Sequence, residues 1–428
     1  MTATTQERET PKRAGRLNWV DSFLFTVKAV SVFVILWGLV GYIVLAAQGA
    51  PGTLDGAQLR GLIINGLSLG AMYGLIALGY SMVYGVLGFI NFAHGEVFMS
   101  GAYVGFFIAD GLSRAGVTDT SPNSFWDNNF LLSILIVFVA GIITSTLIAV
   151  IVERVAYRPL RGAPRLIPLI TSIGVSFFLQ NAVLLLFGTQ PKTYPDVPDW
   201  LKDKVNLGII EVEGTRLLVI VIAAISMVAL FQFVNRTKTG RAMRAVAEDK
   251  EIAALMGINV DRTIVTTFAV GGAMAGVAAI LFSMVFRTVN HVSGFLPGIK
   301  AFTAAVVGGI GNMVGATIGG VSLGLFESAG PQTVLFGLRW EIPLGLGVIL
   351  LIGGLLAIGY GVTRKQSRLL LPGTVAVLGG VASLLSWSQT IPALFQIKDV
   401  VAFYALFLVL IFRPSGLLGE RLAAEDRA

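Results

Sequence analysis

Apolar runs close to the length needed to cross a bilayer recur along this chain, and no other feature restricts its fold so strongly. Such runs lie at about 20–47, 61–87, 92–109, 130–152, 167–188, 216–234, 263–286, 342–361, 369–388 and 397–413. With 55% hydrophobic and 13% charged residues and a mean hydropathy of +0.81, a 428-residue chain has too little polar surface for a soluble globule. Glycine and proline inside the runs point to helices, whose backbone hydrogen bonds close within each segment, and away from an outer-membrane barrel. The expected fold is an all-α polytopic membrane protein of about ten spanning helices. Gly66, Gly70 and Gly74, four residues apart, mark a face for close helix packing. Residues 1–19, with Lys12, Arg13 and Arg16, read as a disordered cytoplasmic tail, and 20–428 as a single transmembrane domain. The first run is too long for a signal-peptide core and reads as a retained helix.

Loop charge sets the direction of each crossing. Arg154, Arg158, Arg161 and Arg165 crowd one loop, and Arg236, Lys238, Arg241 and Arg244 another, which places both on the cytoplasmic side. Loops 110–129 (Asp110, Asp119, Asp127) and 189–215 (Asp196, Asp199, Asp203, Glu211, Glu213) then lie outside, and the N-terminus inside. A single full crossing at 300–327 would carry Arg364, Lys365, Arg368, Arg413 and Arg421 to the outer face. Lys300 to Glu327 is therefore expected to be a pair of half-helices broken near Gly308, Gly309, Gly311 and Asn312 and returning to the side it left. An internal repeat agrees. GAMYGLIALGYSMVY (Gly70 to Tyr84) and GAMAGVAAILFSMVF (Gly272 to Phe286) share eight of fifteen residues, and the derived topology runs them in opposite directions.

Several chemistries are excluded. The chain has no G-x-x-x-x-G-K-[ST] phosphate loop, so it does not bind and hydrolyse ATP through that motif. With His94 and His291 alone and no cysteine, it offers no transition-metal cluster and no disulfide. No nucleophile, base and orienting group stand out, so no catalytic or metal residue is assigned, no cofactor is expected on this chain, and it is not read as an enzyme. The net charge of +7 sits in short loops, which fits membrane orientation and not nucleic acid. Polar groups inside the spans are costly and draw attention. Asn91, His94 and Glu96 read either as a gate or as helix-start chemistry, with Asn91 capping a helix from Phe92 and Glu96 complementing its dipole. Asn65, Tyr73 and Tyr80 read as interhelical hydrogen bonds or pore lining, and Asn312 joins them as a pathway candidate. Gln180 and Asn181 read as substrate contacts or interfacial anchors.

The charged loop 235–262 carries its own helix signals. Asp249 is placed to cap Lys250 to Met256, and Gly257 to end them; Glu251 suits the dipole, and Ile252, Leu255 and Met256 share one face. That face reads as a solvated loop or as a contact for another protein. RAVAEDKEIAALMGINVDR resembles the coupling loop of the permease subunits of ATP-binding-cassette importers for branched-chain amino acids. NGLSLGAMYGLIALGYSMVYGVLGFINFAHGEVFMSGAY, ERVAYRPLRGAPRLIPLITSIGVSFFLQN, KAFTAAVVGGIGNMVGATIGG and FRPSGLLGE resemble the same family in the same order. The resemblance implies that Asp249, Glu251, Ile252, Ala253, Leu255, Met256 and Gly257 dock on an ATPase. It also implies a second, related permease subunit in a heterodimer, two ATP-binding subunits holding ATP and Mg, an external substrate-binding protein, and a bacterial inner membrane with both termini cytoplasmic. Residues 328–396 add two spans that the family usually lacks. Relatives carrying urea, amides or aromatic acids leave substrate open. A gradient-driven secondary transporter or channel is the alternative of another class; the near absence of acids in mid-span stretches argues against it.

Overall fold

The computed structural model describes residues 19–50, 53–117, 124–164, 166–206, 208, 211–337, 344–363, 370–384, 398–413 and 415–419. Residues 1–18 of the expected tail, and Arg165, Arg364, Lys365, Arg368 and Arg421, lie outside them; Trp19, assigned to the tail, begins a helix. The helices are α1 (Trp19–Ala47), α2 (Gly56–Leu87), α3 (His94–Arg114), α4 (Phe125–Asn128), α5 (Phe130–Val152), α6 (Leu166–Phe187), α7 (Asp199–Lys202) and α8 (Gly214–Arg236). They continue as α9 (Lys238–Glu248), α10 (Lys250–Leu255), α11 (Val260–Phe286), α12 (Phe295–Gly308), α13 (Met313–Gly330), α14 (Leu344–Thr363), α15 (Leu370–Leu384) and α16 (Lys398–Phe412). Among the described residues the only strands are short: β1 (Lys192–Thr193) pairs antiparallel with β4 (Thr288–Val289), and β2 (Lys204–Asn206) with β3 (Glu211–Glu213).

Each predicted span falls on a helix; parts of those at 342–361, 369–388 and 397–413 lie outside the described residues. By length and composition six described helices suffice to cross a membrane: most of α1, then α2, α5, α6, α8 and α11. Helices α3 and α13 lie outside that set because their glycine, serine and charged residues lower their hydropathy. The boundaries follow local chemistry. Asp55 and Gln58 form a capping box at the start of α2, and Gly88, with φ of 77°, ends it.

By packing, the described residues fall into two compact units, one within 1–48 and 336–391 and the other within 49–335 and 392–428. In the first, α14 and α15 cross at small residues: a Cβ on Gly354 would meet Gly373 O at 2.6 Å. There α1 lays Phe33 and Trp37, rings 5.1 Å apart, beside Gly379 of α15.

The second unit is built on the repeat. Helix α2 packs antiparallel on α13, and its counterpart α11 packs antiparallel on α5. A Cβ on Gly70 would come within 2.7 Å of Val321 Cα; on the equivalent Gly272 it would come within 2.8 Å of Ser145 O. Helix α3 lies on α5 and α11, as α12 lies on α13 and α2. A π-helical turn follows each outer partner, at Glu153–Tyr157 after α5 and Pro331–Leu335 after α13. The two triplets run in opposite senses: α2 ends, and α11 begins, beside α9 and α10.

The glycine-broken element is observed with a correction to its proportions. Helix α12 has 14 residues, about 21 Å, and starts five residues before Lys300; α13 has 18, about 27 Å, nearly a full crossing and not a half-helix. The turn between them lies on the α10 side, where Gly311 N–H donates to Ser81 Oγ near the end of α2. The C-terminal stretch seals it: Leu417 and Leu418 N–H donate to Val307 and Gly308 O.

Candidate functional site

On the α10 side the loop 235–262 contains two helices where the sequence reading had one. Thr237 caps α9 by accepting from Gly240 N–H, and α9 buries Met243 and Val246, three residues apart, against the core. That spacing behind a capping threonine is the local signal for α9. Asp249 caps α10, its Oδ1 accepting from Glu251 and Ile252 N–H at 2.8 Å. Gly257, with φ of 83°, ends it: Gly257 N–H donates to Ala254 O and Ile258 N–H to Ala253 O, a Schellman closure. The two faces of α10 are sharply different. Ala253 is buried among Val83, Val86, Val246, Ile264 and Phe268, side chains of α2, α9 and α11. Ile252, Leu255 and Met256 are 58%, 87% and 78% exposed, and Glu251 is exposed beside them. Just after α10, Asp261 pairs with Arg158 at 3.1 Å and with Arg161, which also binds the buried Glu153. These ion pairs tie the basic turn after α5 to the start of α11.

Deeper in, the polar residues divide into three groups. Asn91 does not cap a helix from Phe92 as expected: α3 starts at His94 without a side-chain cap, and Asn91 Oδ1 accepts instead from Tyr157 OH at 2.6 Å. The phenol reaches Asn91 because the π-helical turn after α5 carries Tyr157 under the start of α3. His94 is buried edge-on to Tyr80, ring centroids 4.9 Å apart. Glu96 is 1% exposed; Oε1 accepts from Gln180 Nε2 at 2.7 Å and Ser176 Oγ at 3.3 Å, and Oε2 has no hydrogen-bond partner among the described residues. Gln180 thus serves Glu96, whereas Asn181 is exposed and donates to its own helix at Phe177 O. Helices α3 and α12 begin side by side here, Gly294 and Gly298 against Gly95.

The second group joins Tyr73 to residues the sequence reading missed. Lys300 Nζ lies 2.7 Å from both Glu327 Oε1 and Asp399 Oδ1, and Tyr73 OH donates to Glu327 Oε2 at 3.0 Å. Lys300 and Glu327 are 3% and 7% exposed. They are paired, so their presence does not by itself make an ion-coupling site. Charges inside an otherwise apolar segment were the available signal. Asn312 belongs to the third group: it caps α13 at Gly315 N–H and donates from Nδ2 to Leu418 O, which makes it a fastener of the break. Asn65 sits half-buried on α2 two turns before Tyr73, apart from both clusters.

Two independent comparisons bear on this arrangement. The profile of the branched-chain amino acid transport system / permease component family matches residues 62–358, more than half of the chain. The chain belongs to this family. The permease is 42% identical over 360 residues to the high-affinity branched-chain amino acid transport system permease protein BraD of Pseudomonas aeruginosa, covering 84% of this chain and 95% of BraD. It is 43% identical over 268 residues to LivH of Salmonella typhimurium, covering 62% of this chain and 84% of LivH. A probable LivH of Methanocaldococcus jannaschii is 26% identical over 317 residues. No solved structure matches the permease. It is thus a multi-pass membrane subunit of an ATP-binding-cassette importer.

Proposed function

We propose that the permease forms half of a translocation pathway for branched-chain or closely related amino acids and is driven through α10 by an ATPase. The observation that carries this is the two-sidedness of α10: a capped helix whose inner face holds Ala253 in the core while Ile252, Leu255 and Met256 stand exposed on the side where α2 ends and α11 begins. Three large apolar side chains on so short a helix fit a groove on a partner better than water. A push on α10 would reach α2 and α11 directly, the corresponding helices of the two inverted halves, and so could tilt them in opposite senses. The pathway then includes His94, Glu96, Tyr80 and Gln180, with the Tyr73, Lys300, Glu327 and Asp399 group holding α12, α13 and α16 together.

On this reading a related second permease subunit completes the pathway, two ATPase subunits hold ATP and Mg, and an external binding protein delivers substrate to the face opposite α10. The membrane is the bacterial inner membrane with both termini cytoplasmic, and the chain itself performs no chemistry. Leu255→Asp tests the coupling. It would bury an unpaired carboxylate in the docked state, at a cost of several kcal/mol or more, without touching the membrane core. In proteoliposomes holding the complete importer, substrate-stimulated ATP hydrolysis should vanish at normal insertion. Undiminished stimulated hydrolysis would show that α10 is not the link.

A further inference from the structure

We propose that Glu96 recognises the ammonium group of an apolar amino acid, its Oε2 serving as the polar end of a pocket whose walls take the side chain; this rests on the amino-acid permease reading above. A cavity of about 220 Å³ lies between α3, α6 and α12. Its size is below the range of about 300–1,000 Å³ typical of drug-sized ligands and suits a small solute. Phe92, Ile173, Phe177, Phe295 and Ile299 supply apolar walls, and Glu96 reaches it from the first turn of α3. One carboxylate oxygen is fully engaged by Gln180 and Ser176, which fixes the group's orientation; the other, buried, has no donor among the described residues. Among the described residues no lysine or arginine lines the cavity. A buried carboxylate oxygen without a partner is costly, and a cation brought by a ligand supplies what the protein withholds. An ammonium group beside an apolar chain matches both halves of the pocket. Exposed Phe177 and Phe295, 55% and 47% accessible, stand at its rim, so a solute can reach it from the flank of the helix bundle.

The test compares leucine with its two truncated forms, 3-methylbutylamine and 4-methylpentanoate. Purified complete importer is treated with dicyclohexylcarbodiimide, which modifies carboxyl groups in apolar surroundings, and labelling at Glu96 is mapped by mass spectrometry. Leucine and 3-methylbutylamine should each reduce labelling at least tenfold, and 4-methylpentanoate should not. In proteoliposomes, Glu96→Gln should raise the leucine KM at least tenfold, because the amide keeps the shape and the bonds to α6 but loses the charge. Equal protection by the acid, protection by none of the three, or an unchanged leucine KM would overturn the proposal, leaving Glu96 as a brace between the start of α3 and α6. Should the reagent fail to reach Glu96, the uptake measurement decides alone. Absence of leucine uptake by the unaltered importer, with amine protection intact, would defeat the amino-acid permease reading and leave the ammonium site standing.

Discussion

Lys300 shows how much a single side chain can hold in a membrane interior. It joins Glu327 on α13 to Asp399 on α16, and Tyr73 on α2 completes the group, so four helices meet at one ammonium. Removing the cation leaves carboxylates without a counter-charge in a water-poor site. Lys300→Met is therefore expected to destabilise by roughly 3–5 kcal/mol, seen as a lowered Tm of the detergent-purified chain. Adding Glu327→Gln should recover most of that, since the amide still accepts from Tyr73 while Asp399 is partly solvated. An unchanged Tm in the single variant would remove the network from the account of stability. Tyr157→Phe is a milder case: Asn91 Oδ1 loses its donor, for an expected loss of about 1–3 kcal/mol. The sequence displayed these charges inside apolar segments, but their partners lie 27, 99 and 254 positions away. Local pattern carries no such information.

Helices meet here through glycine, and glycine is where an element can be broken selectively. Gly320 of α13 faces α2 so closely that a Cβ would stand 2.9 Å from Gly70 O. Gly320→Leu should split the α2–α13 pair and abolish a monodisperse gel-filtration peak, because overpacking against backbone has no soft atom to yield. Gly61→Leu, on the same helix as Gly70 but with open space around it, should behave as wild type and so controls for hydrophobicity. At α10 the constraint is conformational. Gly257 has φ of 83°, where a β-branched residue is penalised, so Gly257→Val should destabilise the loop by about 1 kcal/mol or more. Faster amide exchange at Ala253 and Ala254, with the transmembrane helices unaffected, is the expected readout; unchanged exchange would show the closure to be dispensable. Both α10 signals, Asp249 and Gly257, were legible in sequence because capping acts within five residues.

At the scale of the whole molecule, the unit of residues 49–335 and 392–428 contains the repeat, the α9–α10 pair, the Glu96 cavity and the Lys300 group. Removal of 341–387 from the other unit should therefore leave co-purification with ATPase subunits measurable. Complete loss of assembly would place those helices in the core of the importer. The sequence by itself determined which long apolar segments are helical, that the element from Lys300 to Glu327 turns back on itself, and that two stretches repeat in opposite senses. These follow from run length, loop charge and glycine placement, each a property of residues near one another in the chain. Only the tertiary structure decided that α13 is almost a full-length helix, that Asn91 answers to Tyr157, that Asn312 is a fastener, and that Glu96, beside a pocket between α3, α6 and α12, has one oxygen bonded to α6 and the other without a partner among the described residues. Those outcomes depend on which helix faces which. In an interior where every polar group must find a partner, that choice is settled by packing between distant segments and leaves no trace in local pattern.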